Sequence, residues 1–274
     1  MRPLWPKLTG LPNLFDAAHR AAAGKKSRPD VAAFLANLEP ELYRLRRRLL
    51  DGSYRPGAYR TFPILDPTPR LISAAPFLDR VVHHALTNVV EPVFDRRFVP
   101  YSFACRKGFG THRALTHCRR ATARFACVLK CDVRKYFPSV DHTILHGLLA
   151  SRHRAGRPKG MKRLAAPAPL CRRVLRSVIE CPATLRLASL IIDSSNPQEE
   201  VVHYFPGDTL FTPHERRRGL PLGNQTSQFF ANVYLNPMDH MIDRNLRPGA
   251  YARYVDDCAP RGAKGLTGPA AICC

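Results

Sequence analysis

Hydrophobic residues recur at helical spacing in two parts of the first hundred residues. The first pattern covers residues 31–50, and Asp51-Gly52 ends it. Its apolar members are Val31, Phe34, Leu35, Leu38, Leu42, Leu45 and Leu49. A second pattern runs from Phe77 to Val90 and predicts a long helix. Residues 54–73, which prolines interrupt, predict a pair of strands. The chain is therefore expected to be α+β.

Two acidic sites follow strand-like segments later in the chain. The run Cys127-Val128-Leu129-Lys130-Cys131 ends at Asp132, and Tyr254-Val255-Asp256-Asp257 has the form of a hairpin tip. Cys127 and Cys131 are expected to be small buried residues of the first strand. Between the two sites, the glycine-containing element 219–228 opens a predicted helix. We expect the carboxylates to meet at one edge of a sheet.

The charge of the chain points to a polyanionic partner. Its 274 residues have 43 Lys and Arg against 21 Asp and Glu, a formal net charge of +22. A basic protein that touches membrane surfaces is the alternative, although no amphipathic anchor stands out. No apolar run is long enough to span a bilayer, the first residues lack the apolar segment of a secretion signal, and the nine cysteines form no Cys-x-x-Cys pair. These features predict a cytoplasmic protein without a zinc site.

Asp132, Asp256 and Asp257 form a candidate metal site. Transfer of a nucleotide to a 3′-hydroxyl requires neutralisation of charge on the attacking and leaving oxygens, which two Mg²⁺ ions accomplish. Mg²⁺ prefers hard oxygen ligands such as aspartate. An isolated aspartate is more often a turn or cap residue. The order of the segments, their strand context and the intervening glycine loop together favour the catalytic interpretation.

Other side chains are candidates for contacts with nucleotide or nucleic acid. Phe137 is placed to cover the sugar of a nucleotide, although core packing explains it equally well. Arg70, on a predicted hairpin with Arg60, could grip a triphosphate, and the basic turn Arg106-Lys107 could track a nucleic-acid backbone; solvated surface residues are the alternative for both. The central element offers close backbone approach and hydrogen-bonding groups at Gly223, Asn224, Gln225, Ser227 and Gln228.

In this order the segments resemble bacterial reverse transcriptases. Residues 77–86 resemble an early finger block of that family and residues 101–114 its next block. Lys130-Cys131-Asp132 through Asp141-His142 resembles the first palm motif, and Tyr254-Val255-Asp256-Asp257 the metal-binding hairpin. The pattern Gly223-x-x-x-Ser227-Gln228 is similar to the diversity-generating retroelement type, whereas many retron and group II intron enzymes carry Gln-Gly and later Ser-Pro there.

The resemblance implies a right-hand polymerase fold with fingers and a partial palm. It divides the chain into a helical lead-in (1–53), a fingers and palm domain (54–257, with palm motifs near 126–142 and 219–257) and an atypical tail (258–274). It implies Mg²⁺-dependent synthesis of DNA from dNTPs on an RNA template, from a DNA or RNA primer, with metal on Asp132, Asp256 and Asp257. A retroelement accessory protein is a further implied partner. Thr68 stands where the family often has lysine.

Residues 258–265 form a poor strand by composition, because they contain proline and two glycines and no β-branched residue. This departure from the family pattern predicts a chain that is truncated or frameshifted after Asp257 and has no thumb. Two hypotheses follow: an active RNA-directed DNA polymerase, and a catalytically dead RNA-binding fragment of the same fold. A basic RNA-binding protein of unrelated fold and a palm polymerase that copies RNA into RNA fit the residues less well.

Overall fold

The computed structural model describes residues 4–65, 69–150, 179–195, 201–202, 204, 208–259 and 261–262. Four helices come first, although the helical pattern in the sequence begins only at residue 31. They are α1 (Leu4–Leu8), α2 (Leu11–Ala22), α3 (Pro29–Ala36) and α4 (Leu38–Leu50). The lead-in is ordered because its apolar residues face the core: Leu8 and Leu14 are fully buried.

The long helix α5 (Phe77–Asp95) is the centre of the core, as its periodicity predicted. It packs against α1, α2 and the later helix α11 (Gln225–Met241). Val81, Val82 and Leu86 on α5 are fully buried. Packing against several neighbours explains why its apolar positions surround most of the helix. No helix among the described residues combines the length and apolar character that crossing a bilayer requires.

The predicted hairpin lies between α4 and α5. Strands β1 (Arg60–Ile64) and β2 (Arg70–Ala74) are antiparallel, with Arg60 opposite Ala74 and Ile64 opposite Arg70. Arg70 therefore lies beside the connection between the strands. The far end of β2 enters the protein, since Ser73 is fully buried while Arg70 is exposed.

The remaining described helices connect the two acidic sites. They are α6 (Thr111–Thr122), α7 (Tyr136–Ser139), α8 (His142–Leu149), α9 (Pro182–Asp193), α10 (Thr212–Glu215) and α11, which a π-helical turn (Ile242–Leu246) extends. Asp141 caps α8 by accepting a hydrogen bond from the Ile144 amide (3.0 Å). The dipeptide Asn236-Pro237 predicts a break in α11, and that prediction is wrong, because the helix continues through Pro237 with Leu235 and Asp239 buried on either side. The Arg, Lys and Pro content of residues 151–185 predicts a surface excursion, and residues 199–212 predict a strand pair around Pro206-Gly207-Asp208. Most of the first segment and the centre of the second lie outside the described residues.

Short strands join the two acidic segments. Strand β3 (Cys127–Val128) pairs with β6 (Arg261–Gly262), and β4 (Arg253–Tyr254) pairs with β5 (Asp257–Cys258), both antiparallel. The poor strand expected after Asp257 thus does return along β3, because backbone groups alone make these hydrogen bonds. Cys127 is exposed rather than buried, since nothing described covers that face of β3. The described chain is a mixed structure of helices and short strands.

Candidate active site

The turn that carries Asp256 has an unusual backbone. Arg253 lies opposite Cys258 and Tyr254 opposite Asp257, which leaves Val255 and Asp256 as a two-residue loop. Val255 has a φ of +59°. Glycine is favoured at such a position, and a β-branched residue there is a genuine outlier. Strain of this kind persists only where the surroundings hold the backbone in place, and it gathers at functional sites.

A buried ion pair lies directly below this turn. The side chains of Arg253 and Asp239 are both completely buried, and Nε and Nη2 of Arg253 donate to the Asp239 carboxylate at 2.8–3.0 Å. The Tyr251 hydroxyl also donates to Asp239 (2.7 Å). Burial opposes the charge on Arg253, but the contact with Asp239 outweighs this effect and raises the arginine pKa. Burial and the same carboxylate raise the pKa of Tyr251.

Arg253 connects this ion pair to the turn. Its Nη1 donates to the Val255 carbonyl (2.7 Å) and to Oδ1 of Asn232 (3.0 Å) on α11. Its Nη2 donates to the Ser102 hydroxyl (2.8 Å), and its backbone amide to the Tyr101 carbonyl (2.9 Å). The guanidinium therefore satisfies the carbonyl of the strained residue and fixes it to two other parts of the fold. Sequence reasoning missed this group, which we call the Arg253 hub (Ser102, Asn232, Asp239, Tyr251 and Arg253).

The candidate metal ligands come together above the hub. Asp256 is half-buried, whereas Asp132 and Asp257 are exposed. Burial is the largest cause of a raised pKa at Asp256, the negative charges of Asp132 and Asp257 raise it further, and the positive charge of Arg70 opposes them. Asp132, Asp257 and Arg70 thus lie close enough to Asp256 to affect its pKa, although the four residues span almost two hundred positions in the chain.

Backbone pairing brings Asp132 to the turn. The amide of Cys131 donates to the Cys258 carbonyl, and the amide of Cys258 to the Cys131 carbonyl, both at 2.8 Å. Asp132 and Asp257 are the immediate neighbours of these two residues. Lys130 Nζ lies 3.8 Å from Oδ1 of Asp257, with both side chains largely exposed, so this contact contributes little to stability.

The donor chemistry of this cluster fits magnesium. Carboxylate oxygens are the ligands that Mg²⁺ prefers, and retained waters normally complete its shell. Across the described ranges, however, no three His, Cys, Asp or Glu side chains converge closely enough to hold an ion by themselves. The fit therefore concerns the type and the grouping of the donors.

The glycine-containing element is attached to β2. Gly223 has a φ of +103°, and a Cβ there would lie 2.8 Å from the Ile72 side chain, so the position favours glycine. Asn224 is buried; its Nδ2 donates to the Ser73 carbonyl (2.9 Å) and its Oδ1 accepts from the Ala75 amide (3.4 Å). Asn224 therefore fixes the loop to the hairpin instead of projecting toward a nucleotide.

The other predicted members of this element differ in exposure. Ser227 is buried, Gln225 is half-buried and Gln228 is exposed. Of the polar side chains predicted to contact a nucleotide, Gln225 and Gln228 thus remain accessible. Phe229 and Phe230, two and three positions after Ser227, are buried as well.

Phe137 lies where the first palm-like segment meets the central element. Its ring is half-buried and packs edge-on against Tyr136, with centroids 5.5 Å apart. Its carbonyl accepts a hydrogen bond from the Leu220 amide (2.9 Å), while the Tyr136 hydroxyl donates to the Ala231 carbonyl (2.6 Å). Tyr136 is thus a core residue, whereas Phe137 keeps an accessible part.

Contact of Arg106 with a nucleic-acid backbone, as proposed from the sequence, requires an exposed side chain. In the structure Arg106 is buried. Its Nε donates to Asp95 (2.6 Å), and its Nη1 donates to the carbonyls of Val99 and Ser102 (2.8 Å each). These partners satisfy the guanidinium inside the loop that precedes α6, so Arg106 has a structural role. Lys107 is exposed and remains available.

Comparison with known proteins gives partial similarities. No family model matches the chain. Over 119 residues it is 30% identical to Protein YkfC of Escherichia coli (strain K12), which covers 40% of this chain and 31% of that protein. Over 108 residues it is 32% identical to Nuclear intron maturase 2, mitochondrial, of Arabidopsis thaliana, which covers 34% of this chain and 15% of that protein. Each match thus spans less than a third of the curated relative.

Two solved structures show a distant likeness. A chain of a "Partial Cas6-RT-Cas1--Cas2 complex" aligns with a TM-score of 0.45 and 16% identity, covering 96% of this chain and 38% of that one. A chain of a "Cas6-RT-Cas1--Cas2 complex" gives the same TM-score and identity and is covered to 24%. The chain is thus locally similar to an intron maturase.

Proposed function

We propose that this chain provides the fingers and palm of an RNA-directed DNA polymerase of the right-hand class. The observation that carries the proposal is the backbone pairing of Cys131 with Cys258, which puts Asp132 beside Asp257 and next to the turn that contains Asp256. Carboxylates grouped beside a cation, on a strained turn with a buried support, are typical of a site that handles phosphate chemistry. Gly223-x-x-x-Ser227-Gln228 favours the diversity-generating retroelement type.

Each member of the site then has a distinct role. Asp132, Asp256 and Asp257 hold Mg²⁺, which supplies charge neutralisation at the attacking and leaving oxygens. Arg70 contacts the triphosphate of the incoming dNTP, because a guanidinium forks onto phosphate oxygens. Phe137 borders the sugar and disfavours a 2′-hydroxyl. Gln225 and Gln228 face the base and the template strand, and Lys107 contacts the nucleic-acid backbone. An accessory protein of the retroelement is a further proposed partner.

A catalytically inactive RNA-binding protein of the same fold is the second candidate. It is favoured by one specific observation: in the part of the chain that the structure describes, the acidic side chains do not converge on a common metal position. The net charge of +22 supports RNA binding in both cases. Metal-dependent synthesis distinguishes the two candidates.

Primer extension on an RNA template with dNTPs and Mg²⁺ tests the proposal. Asp256→Asn removes one ligand charge at nearly constant shape, and Glu39→Gln, at an exposed position on α4, is the matched control. We expect extension by the wild type and the control, and a loss of about 10³-fold in Asp256→Asn. No extension by the wild type, with salt-dependent RNA binding retained, would establish the second candidate instead.

A further inference from the structure

A second cavity lies beside α6, outside the carboxylate cluster. Its volume is about 290 Å³, and its wall includes Tyr101, Arg120, Arg124, Phe125, Asp243 and Tyr251. The π-helical turn Ile242–Leu246 supplies Asp243. Turns of this type occur frequently at functional sites. None of the roles proposed above for polymerisation uses this cavity.

The charge of the cavity favours an anion at its rim. Arg120 and Arg124 are both exposed, and within the described ranges neither forms an ion pair. Asp243, half-buried, is the one acidic side chain of the described wall. Two guanidinium groups near an opening can each donate two parallel hydrogen bonds to phosphate oxygens.

Aromatic rings and a glycine determine the shape of the interior. A Cβ at Gly249 would overlap the Phe125 ring, so glycine lets this ring approach the chain. Nε2 of His117 donates to the Tyr251 carbonyl (3.0 Å), and the His117 ring lies 5.4 Å from that of Tyr101 between centroids. Nucleic-acid bases stack on aromatic side chains without regard to sequence, because every base has a π-face.

We propose that this cavity binds one nucleotide unit, with its phosphate on Arg120 and Arg124 and its base against Tyr101 and Phe125. Asp243 then accepts a hydrogen bond from an amino group of the base or a hydroxyl of the sugar. The wall of this cavity does not include Asp132, Asp256 or Asp257. The proposal rests on the proposed function only in that the ligand is a nucleic acid or a nucleotide. The unit can belong to a single strand or be a free nucleotide, and the two sources share this chemistry.

Binding of a short single-stranded RNA, followed by fluorescence anisotropy, tests the charge requirement. All variants carry Asp256→Asn and are measured without Mg²⁺, so that the result does not depend on synthesis. We expect Arg120→Gln/Arg124→Gln to weaken binding about ten-fold more than the control Arg44→Gln/Arg47→Gln, which removes two exposed arginines from α4. The control reports the loss of general attraction alone.

Photocrosslinking with RNA that contains 4-thiouridine tests the position. We expect crosslinks at Tyr101 or Phe125, and their loss in the Arg120/Arg124 variant. Competition by AMP would support a site that accepts free nucleotides, and an absence of competition would support a site for a strand. Equal weakening in both double variants, with no crosslink at either ring, would overturn the proposal. A failure of primer extension would leave these readouts unaffected, so the two proposals can fail separately.

Discussion

The β4–β5 hairpin has a buried side, which we call the lower layer, and an exposed side, which we call the upper layer. Below the turn, Arg253 and Asp239 are fully buried and every charged group has several partners. Above it, Asp132 and Asp257 are exposed, and the pKa of half-buried Asp256 is raised by burial and by its acidic neighbours. The charges of the lower layer are compensated by hydrogen bonds and an ion pair, whereas the carboxylates of the upper layer repel one another. Repulsion among carboxylates that a cation would relieve is the property a metal site needs.

The difference also shows how a strained turn can persist. Val255 at φ +59° costs on the order of 1–3 kcal/mol by itself. Arg253 stabilises this conformation by donating to the Val255 carbonyl at 2.7 Å from a buried position. The lower layer thus holds the backbone of the turn, and the upper layer presents the chemistry.

The largest expected effect comes from removing one member of the buried pair. Arg253→Met leaves Asp239 buried without its main partner, which costs about 3–5 kcal/mol. We expect the free energy of unfolding, measured by urea titration, to fall by that amount. Arg44→Met, which breaks an exposed ion pair with Glu41, is the control and should change it by less than about 1 kcal/mol. Equal effects of the two variants would break the distinction between the layers.

His83 tests how burial acts on the pKa of a basic side chain that, unlike Arg253, has no oppositely charged partner beside it in the part of the chain that the structure describes. It is 1% exposed on α5, and neither ring nitrogen has a hydrogen-bond partner among the described residues. Burial lowers its pKa to about 3, and the charges of His84 and Arg80 contribute. The unfolded chain takes up this proton near pH 6.5. Stability from neutral His83 is therefore complete above pH 6.5 and is lost as pH falls toward 3, by about 1.4 kcal/mol per pH unit.

We expect His83→Leu to reduce the pH dependence of unfolding over that window. Chemical denaturation at a series of pH values measures the slope, and His19→Leu, at an exposed position on α2, is the matched control. A slope in the His83 variant equal to that of the wild type would show that this histidine is protonated or hydrated in the folded protein.

The smallest expected effect concerns Phe137, whose ring is half-buried. If its ring borders the sugar, Phe137→Val should lower the preference for dNTPs over NTPs about ten-fold with little change in dNTP use. Single-nucleotide incorporation on an RNA template measures this ratio. Phe211→Val, at an exposed ring before α10, should leave it unchanged. An unchanged ratio in both variants would assign Phe137 to packing alone.

Periodicity and turn residues were sufficient to predict much of the fold. Helix α5, the β1–β2 hairpin and the hairpin around Asp256 lie where the pattern indicated. Local rules succeed in these places because the determining neighbours are three, four or two residues away. The ordered lead-in and the return of β6 to β3 depend on partners far along the chain, and local composition does not reveal them.

The candidate site shows the same division. The order of the motifs predicted that Asp132, Asp256 and Asp257 meet at one edge of a sheet, and the pairing of Cys131 with Cys258 puts Asp132 beside Asp257. Arg106, Asn224 and the Arg253 hub were misread or missed, because polar residues are mostly exposed and the default expectation places them on the surface. Arg253 bonds to Asp239 and to Ser102, fourteen and 151 positions away. One signal existed in the sequence: an arginine immediately before Tyr254-Val255-Asp256-Asp257.

Binding of Mn²⁺, followed by electron paramagnetic resonance, tests most directly whether the upper layer is a cation site on a buried support. The wild type and Glu39→Gln should bind the ion with equal affinity, since Glu39 is exposed and remote in sequence from the cluster. Asp256→Asn should lose that binding while its free energy of unfolding is no lower than that of the wild type, because the substitution removes repulsion among the carboxylates. Undiminished Mn²⁺ binding by Asp256→Asn would contradict the account, because the ion would then be held elsewhere.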